Sequence, residues 1–522
     1  MRGMKGQNDS LRLGLEILTP VQTGTGGNLV QQIDYIDQGG QVFVVDQART
    51  FAALATGDQT LDAVLSGARL DDLVSLAGPR HGQILPSLHG ARGVPREFRA
   101  QLKDAFLRPY LPGTALKGAI RTALFAALLR QYPPDAYQHL LPTASTRMAA
   151  KKLSDRAFGA SPNQDRLRAL HVGDALFQPD DLRLADIRWL NLTGRAEPYQ
   201  ARWRNMATRT SVHRWQDAPG LYAEMLAPGT LAPVTLQWDG FLLSDPAWSG
   251  DVADPAILPR TFADLRDTLN AQARHRLTRE IDFYRTYRQD GPLQQCQGLL
   301  ALLEREPDAA YLQLAWGSGW RGMTGDWLAE EDRERMRGLY REMRGRDGMP
   351  FPKTRRLAVW NHQPCLPLGW LRLLPWEAAL RTEAGQAHDH RAAEARKAEA
   401  QTRQRAEAAE QAARAEAERQ AQRAALSEAA RAVEDFRERM ARERAEWVRQ
   451  GISGQWFQAL RALAGEMPPV GSPPTAPGCA SWSRPSAGWR PRWRRKRTIT
   501  SRNCCGVSPH DRPAPGPRPF PP

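Results

Sequence analysis

Residues 111–122 have the sequence LPGTALKGAIRT and lead into an apolar-striped run that continues to Arg130. That spacing of three and four residues is typical of an amphipathic α-helix with one face in a core. The stretch therefore predicts a glycine-bearing loop that enters a helix. The apolar positions that define the stripe are Leu116, Ala119, Ile120, Ala123, Leu124, Ala127 and Leu128.

Two cations and two glycines lie at the start of this predicted helix. Lys117 and Arg121 are four residues apart, so both lie on one flank near an N-terminus whose free N–H groups favour an anion. Gly113 and Gly118 have no Cβ, which lets a phosphate approach the backbone. The pattern favours a phosphate-binding site, and an ordinary loop-to-helix junction is the simpler alternative. A nucleotide-hydrolysing P-loop is excluded because the lysine precedes the glycine and no Ser or Thr follows it.

Length and composition narrow the class of protein. The 522 residues suffice for two or three domains, and 41% hydrophobic content fits a globular chain. No long apolar run or secretory leader is present, so we expect a cytoplasmic protein without membrane contact. The five cysteines are scattered and form no C-x-x-C pair, so we expect no disulfide framework, metal or cofactor. The net charge of +15 is a weak guide to function, because residues 467–522 contribute +9 of it.

The first third of the chain predicts an α+β arrangement. A strand over Leu11–Leu18 precedes a second glycine loop at residues 23–27, and a hairpin over residues 33–46 turns at Gly39–Gly40. Residues 47–76 predict short helices. The segment from Arg80 to Asp104 has no clear period, so we expect a loop or insertion there.

The pattern of strand, glycine loop and helix then recurs. Strands are predicted at residues 170–175, 182–192 and 231–243, and helices at 258–288 and 292–306. A third glycine loop at residues 315–324 follows a strand over 311–315, a compact basic loop occupies 352–356, and a final strand covers 366–373. The basic, aromatic segment from Tyr199 to Trp215 suits unstacked bases, although an exposed strand pair explains it equally well.

The C-terminal residues differ in composition from the rest. Residues 376–466 are rich in Ala, Glu and Arg and predict a long solvated helical arm, in which a self-pairing coiled coil is an open possibility. Residues 467–522 contain 14 prolines and no periodicity, so we expect a disordered tail. That tail also resembles a GC-rich gene translated in the wrong frame.

Six motifs in order resemble those of one family. The chain resembles CRISPR-associated RAMP proteins, and the three later motifs narrow the resemblance to the fifth subunit of the subtype III-A Csm effector complex, the Csm5 family, over residues 10–375. The motifs are T-P-x-x-x-G-x-G at 19–26, I-D-Y at 33–35, P-G-T-x-L-K-G-A-I-R-T at 112–122, the loop at 315–320, P-K-T-R-R at 352–356 and P-L-G-W at 367–370.

The resemblance implies a fold, a role and a set of partners. It implies two ferredoxin-like, RRM-related RAMP modules with helical insertions, over residues 1–165 and 166–375. The implied role is a non-catalytic subunit that caps the 3′ end of the guide RNA (crRNA), supports its maturation and serves antiviral defence. The implied partners are the crRNA, the neighbouring backbone RAMP subunit, other Csm subunits and host nucleases that trim the crRNA.

A set of RNA-binding residues follows from the motifs. The cations would neutralise phosphates, the glycine loops would approach the backbone, and Trp320 or Trp215 would stack on a base, so binding would tolerate any sequence and weaken with salt. The predicted RNA-binding residues are Gly24, Gly26, Gly113, Lys117, Gly118, Arg121, Gly317, Gly319, Trp320, Lys353, Arg355 and Arg356.

Two other functions remain open. A ribonuclease that trims the guide itself would need a general base or metal-binding carboxylates, and its candidates are Asp34, His81, His89 and His171. A structural or surface role explains each of these four residues more simply, and their spacing forms no catalytic set. The third possibility is a protein docking module that uses the long helix as its contact.

Overall fold

The computed structural model describes residues 9–55, 66–78, 80–88, 93–133, 135–140, 150–195, 197–245, 257–314, 316–322, 349–450 and 454–466. Over these residues the chain forms strands and α-helices in mixed order, which confirms the predicted α+β class. None of the described helices has both the length and the apolar character needed to cross a membrane.

All of the described strands lie in the first 375 residues of the chain. They are β1 Asp9–Ile17, β2 Gly24–Val30, β3 Tyr35–Gln38, β4 Gln41–Val45, β5 Gly82–Leu85, β6 Glu97–Gln101, β7 Tyr110–Leu111, β8 Leu170–Val172, β9 Ala175–Leu176, β10 Leu182–Thr193, β11 Gln200–Arg204, β12 Ser211–Val212, β13 Leu221–Leu226, β14 Leu231–Trp238, β15 Ala310–Gln313, β16 Thr354–Trp360, β17 Gln363–Pro367 and β18 Trp370–Pro375.

The helices lie between these strands and continue beyond the last of them. They are α1 Gln47–Leu54, α2 Leu70–Leu76, α3 Gly113–Leu129, α4 Asp135–Gln138, α5 Lys151–Phe158, α6 Gly240–Ser244, α7 Phe262–Thr286, α8 Asp290–Arg305, α9 Trp376–Ala379, α10 Glu383–Ala425, α11 Glu428–Arg442, α12 Arg444–Gln450 and α13 Gln455–Glu466.

The first sheet is antiparallel and has β1 near its middle, in the order β15-β18-β1-β14-β8. Leu13, Leu15 and Ile17 alternate along β1 and are fully buried on one face. On the other face Gly14 allows a helix to approach, because a Cβ there would lie 2.2 Å from the Cβ of Ala379 in α9. The alternation in this strand therefore places cores on both sides of the sheet.

Helix α3 packs on this first sheet through the predicted stripe. Leu116, Ile120 and Leu124 are buried in the same hydrophobic cluster as the β1 leucines, which confirms the amphipathic helix. The helix starts at Gly113, three residues before the first member of the stripe. Helix α7 packs beside it and is capped by Thr261, whose hydroxyl accepts a 3.1 Å hydrogen bond from the Asp264 N–H.

The second sheet has the order β12-β11-β10-β13-β6-β2, and β16 pairs with β10 and with β17. Strand β10 pairs with β13 through its first half and with β11 through its last residues, while β16 pairs with residues 187–191. Strand β2 ends the order, and residues 24–28 of this strand are exposed. The glycine loop predicted at residues 23–27 is thus the start of an edge strand.

A third, three-stranded sheet contains the predicted hairpin. Strands β3 and β4 pair around Gly39 and Gly40, which have φ angles of 62° and 84°, and β5 pairs with β4. The positive φ explains the Gly-Gly turn. Helices α1 and α2 match the expected short helices of residues 47–76, within the part of that range that the structure describes.

Three local predictions are wrong for the same physical reason. The expected loop from Arg80 to Asp104 contains β5 and β6, the basic loop at 352–356 enters β16 at Thr354, and the single final strand is two strands that turn at Gly369. In each case glycine or proline interrupts the local pattern. The hydrogen-bond partners that make these residues strands are distant in sequence.

The described residues after 375 are mostly helical, as predicted. The chain divides into two units, residues 1–394 and 395–522, and α10 is the long helix expected there. Its side chains are exposed from residue 393 to residue 425. The proposed disordered tail at 467–522 lies outside the described residues.

Candidate nucleic-acid interface

The N-terminus of α3 is closely packed against β8. A Cβ on Gly113 would lie 2.1 Å from the carbonyl oxygen of Val172, so only glycine fits. The Gly113 N–H donates a 2.7 Å hydrogen bond to Oδ1 of Asp174. One of the N–H groups that was predicted to bind a phosphate therefore already donates its hydrogen bond to a carboxylate of the protein.

The two cations of α3 differ in their surroundings. Arg121 donates a 2.6 Å hydrogen bond to Asp165 and lies 3.8 Å from the ring centroid of Phe158. Lys117 is half-buried, and burial lowers its pKa although the carboxylate of Asp165 opposes that shift. Gly118 is exposed, and a Cβ there would meet nothing within 4 Å. The open part of this motif is thus the surface at Lys117 and Gly118.

The first glycine loop is connected to the start of α3 by side-chain hydrogen bonds. Gln101 accepts from the Thr23 N–H at 3.0 Å, and the hydroxyl of Thr23 donates to the carbonyl of Tyr110 at 3.2 Å. Gly24 and Gly26 follow on the exposed edge strand β2. These contacts join Thr23, the residue before Gly24, to Tyr110, which lies three residues before α3.

The third glycine loop lies against the first one. The Trp316 N–H donates a 3.1 Å hydrogen bond to the carbonyl of Gln22, two residues before Gly24. Gly317 has a φ of 96°, and a Cβ there would lie 2.4 Å from a methyl carbon of Leu368. Gly319 has a φ of 78° and open space around it. The loop is therefore held in place by backbone conformation and packing.

Trp320, the predicted stacking residue, packs within the protein. Its ring centroid is 4.9 Å from that of Phe351, and both rings lie against the main hydrophobic cluster. Trp215 lies under the guanidinium of Arg188 at 5.0 Å. Both tryptophans thus already have aromatic or cationic partners from the protein.

The basic motif at 352–356 contains three cations with different environments. Arg355 is paired with Glu280 at 2.5 Å and lies 3.9 Å from the Phe283 ring centroid. Burial acts to lower the pKa of Arg355, but Glu280 together with Tyr284 and Cys296 outweighs it, and the net shift is upward. Lys353 is half-buried, and its carbonyl accepts from the Leu192 N–H at 3.0 Å.

Arg356 lies in a row of alternating guanidinium groups and indole rings. Arg99 is 5.0 Å and Arg356 is 5.1 Å from the ring centroid of Trp316, and Arg356 is also 4.7 Å from that of Trp189. We call these four side chains, Arg99, Trp316, Arg356 and Trp189, the arginine–tryptophan row. Within the described part of the chain, neither arginine of the row forms an ion pair with a carboxylate. Burial, followed by the nearby charge of Arg99, lowers the pKa of Arg356.

The row joins three of the predicted motifs. The first glycine loop is adjacent to Arg99, because a Cβ on Gly24 would lie 3.5 Å from Nη2 of that arginine. The third glycine loop supplies Trp316, and the basic motif supplies Arg356. Gly24, the loop of Gly317 and Gly319, and Arg356 are therefore brought together, whereas Arg121 and Arg355 have carboxylate partners elsewhere.

Sequence reasoning missed three members of the row as site residues. Arg99 lies in a segment that was predicted to be a loop. Trp189 lies in a predicted strand whose other residues are mostly apolar. Trp316 lies in the quoted motif at 315–320, but Trp320 of the same motif was predicted as the stacking residue. The alternation along β10 places Trp189 on a different face from Arg188, and it was the one signal that could have identified a side chain of the row.

No hydrogen bond or ion pair joins the described ribonuclease candidates Asp34, His81 and His171 to one another. Oδ2 of Asp34 accepts a 2.8 Å hydrogen bond from the Val30 N–H, which is a turn-stabilising contact. His171 is exposed on β8, with Nε2 4.0 Å from Asp239. His81 precedes β5 in the third sheet, and His89 lies outside the described residues. No cluster of three or more His, Cys, Asp or Glu suited to a metal ion occurs among the described residues.

Comparison with known proteins finds similarity to one superfamily over part of the chain. A model of the RAMP superfamily matches residues 14–253, which confirms the RAMP resemblance. A chain of a Csm–crRNA–target RNA ternary complex of the type III-A CRISPR-Cas system is similar at 21% identity, with a TM-score of 0.47, over 70% of this chain and all of that one. Csm5 of T. onnurineus is similar at 19% identity, with a TM-score of 0.46, over 69% of this chain and 99% of that one. No match is found among curated proteins.

Proposed function

We propose, from the premise that residues 14–253 are a RAMP superfamily region, that this protein is a non-catalytic RNA-binding subunit of a type III-A CRISPR (Csm) effector complex. In this role it caps the 3′ end of the crRNA and supports crRNA maturation and antiviral defence. Its partners are the crRNA, the neighbouring backbone RAMP subunit and the other Csm subunits. A separate nuclease trims the crRNA.

The observation that carries the proposal is the meeting of three motifs at the arginine–tryptophan row. Glycine loops, unpaired guanidinium groups and indole rings are suited to a flexible polyanion with stackable bases. Residues separated by hundreds of positions in sequence meet there, next to a RAMP-matched region. A generic basic surface would not require such a meeting.

The twelve RNA-binding residues predicted from sequence remain part of the proposal. The half-buried Lys117 and the exposed Gly118 offer a surface for a phosphate, and Lys353 lies three residues from Arg356 on the same segment. Arg121 and Arg355 are assigned the role of positioning residues, because Asp165 and Glu280 neutralise their charges.

The finer description of the fold is also proposed. Two ferredoxin-like modules, over residues 1–165 and 166–375, would each place helices on one face of an antiparallel sheet. The packing of α3 and α7 on the first sheet supports such a layer. Strand β1, from the first predicted module, pairs with β14 and β18 from the second.

Protection of the guide tests the capping role directly. Effector complex assembled without this chain should lose crRNA from its 3′ end when a 3′ exonuclease is added, and the purified full-length chain should restore protection. Equal digestion with and without the chain contradicts the proposal. A chain ending at Glu394, where the first unit ends, should still protect if the exposed part of α10 is dispensable. Loss of protection there would favour the protein docking function.

Catalysis is tested separately with the pure protein. End-labelled crRNA precursor incubated with the chain, with and without a divalent metal ion, should be bound and keep its length. Shortening that Asp34→Asn abolishes would favour the ribonuclease instead.

A further inference from the structure

Two groups of partly buried arginines in the first unit have different surroundings. In the first group a carboxylate neutralises each guanidinium: Arg121 pairs with Asp165, Arg188 with Asp186, Arg355 with Glu280, Arg372 with Glu16 and Arg391 with Asp181. In the second group, Arg99, Arg204 and Arg356 have no carboxylate within ion-pair distance among the described residues. The second group is the unusual one, because buried charge is normally paired.

The three arginines of the second group lie on one face of the second sheet. Trp189 pairs with Arg356, so both point to the same side of β10 and β16. On β11, Ala201 and Trp203 pack into the cluster on the opposite side, so Arg204 points to the Trp189 side. Arg99 reaches the same side through its contact with Trp316.

Three buried polar atoms of this face lack hydrogen-bond partners among the described residues. Nε of Arg99, Nε of Arg204 and Nε1 of Trp189 are each buried without an acceptor among the described residues. Removing such donors from water without a replacement hydrogen bond costs stability. Three guanidinium groups also repel one another when they share a surface. The face is therefore destabilising in isolation, and an acceptor-rich anion spanning it would relieve both costs.

The interleaved indoles distinguish between anions. A purely acidic peptide needs the cations alone, whereas a single-stranded nucleic acid offers phosphates for the guanidinium groups and base faces for the rings. A duplex keeps its bases stacked on each other and cannot use the rings.

We propose that the face formed by Arg99, Arg204, Arg356, Trp189 and Trp316 binds single-stranded RNA, with phosphates on the three arginines and a base stacked at Trp189. This inference rests on the proposed RNA-binding function and adds where the strand lies and in which form it is bound. It assigns the main contact to the second sheet and an accessory contact to the N-terminus of α3. Because every base can stack on an indole ring, we expect this face to bind RNA of any sequence.

The test uses the full-length chain and short labelled RNA. Fluorescence anisotropy with a 12-nucleotide single-stranded RNA should show at least tenfold weaker binding for the Arg204→Gln, Arg356→Gln double variant. Loss of two phosphate contacts should also reduce the slope of log affinity against log salt by about 1.4. Trp189→Leu should weaken binding about tenfold or more with the salt slope unchanged, because stacking releases no counterions.

Matched variants separate charge and geometry from folding. Arg168→Gln removes an exposed arginine outside this face and should change neither affinity nor slope. The Arg204→Lys, Arg356→Lys double variant keeps both charges and should retain most of the salt slope. That result would show that the glutamine variant binds RNA weakly because it lost charge and not because it misfolded. Unchanged affinity in the Gln and Leu variants overturns the proposal. So does equal affinity for duplex RNA, or displacement of the RNA by polyglutamate at equal charge concentration.

The outcome is independent of the capping experiment. If the Gln variants bind short RNA normally and the complex still protects its guide, this face is rejected as the RNA-binding site. The capping function is then still supported. Weak short-RNA binding by the variants together with an unprotected wild-type guide would support the face and reject the cap.

Discussion

The guanidinium of Arg121 donates a 2.6 Å hydrogen bond to the carboxylate of Asp165 and lies 3.8 Å from the ring centroid of Phe158. It also donates to the Ser154 hydroxyl at 3.1 Å. These contacts tie α3 to α5 and to the turn before β8. Arg121 thus joins three segments of the first unit.

We predict that Arg121→Ala lowers the free energy of unfolding by about 1–2 kcal/mol, because it removes a partly buried ion pair and a cation–π contact. Urea denaturation of the full-length chain measures this. Lys151→Ala, which removes the exposed pair with Asp155, should cost less than about 0.5 kcal/mol. Equal effects of the two substitutions would contradict a structural role for Arg121.

The two glycines of the α3 motif should respond oppositely to alanine. Gly113→Ala should destabilise by about 1–3 kcal/mol, because its Cβ would overlap the Val172 carbonyl. Gly118→Ala should stabilise by roughly 0.5–1 kcal/mol, because it lies in an open helix interior. Thermal unfolding compares them, and a stabilising Gly113→Ala would refute the close packing.

Lys117 provides the corresponding binding test. If phosphate approaches α3 at its open surface, Lys117→Ala should weaken guide retention in the assembled complex several-fold, and more at low salt than at high salt. The substitution breaks no ion pair in the described residues, so stability should change little. Full retention at every salt concentration would remove α3 from the RNA-binding surface.

Glu16 gives a pH dependence whose sign follows from its burial. Burial raises the pKa of Glu16 above 4.5, although Arg372, 2.9 Å away, opposes the shift. A carboxyl with a raised folded pKa contributes stability at low pH and loses it as pH rises through that folded value. The stability of Glu16→Gln relative to the natural chain should therefore increase as pH rises above about 4.5. Denaturation at a series of pH values measures the difference, and a constant difference would contradict the raised pKa.

The two buried cysteines should be unreactive in the folded protein. Burial raises the pKa of the Cys365 thiol to about 11 and that of Cys296 further. In a chain with Cys479, Cys504 and Cys505 changed to serine, a thiol reagent at about pH 8 should label neither until denaturant is added, because thiolate is the reactive form. Rapid labelling of the folded chain would show that one of the sites opens.

Local patterns predicted the elements that carry their own periodicity. The stripe from Leu116 to Leu128 identified α3, and the Gly39–Gly40 turn identified its hairpin. Strands β5 and β6 were missed because glycine and proline mask their alternation. Their pairing with β4, β2 and β13 supplies the hydrogen bonds that define them.

The α+β class, the long C-terminal helix and the RAMP resemblance could be predicted from the sequence, because helical periodicity and strand alternation depend on neighbouring residues and the motifs are read directly along the chain. Which cations are already neutralised depends on the folded structure. Asp165 lies 44 residues from Arg121, and Glu280 lies 75 residues from Arg355. Trp316 and Arg99 meet only because the strands fold back together. An arginine's charge can be read from the chain, but its partner is chosen by packing, and the partner decides whether that charge supports the fold or remains available to a ligand.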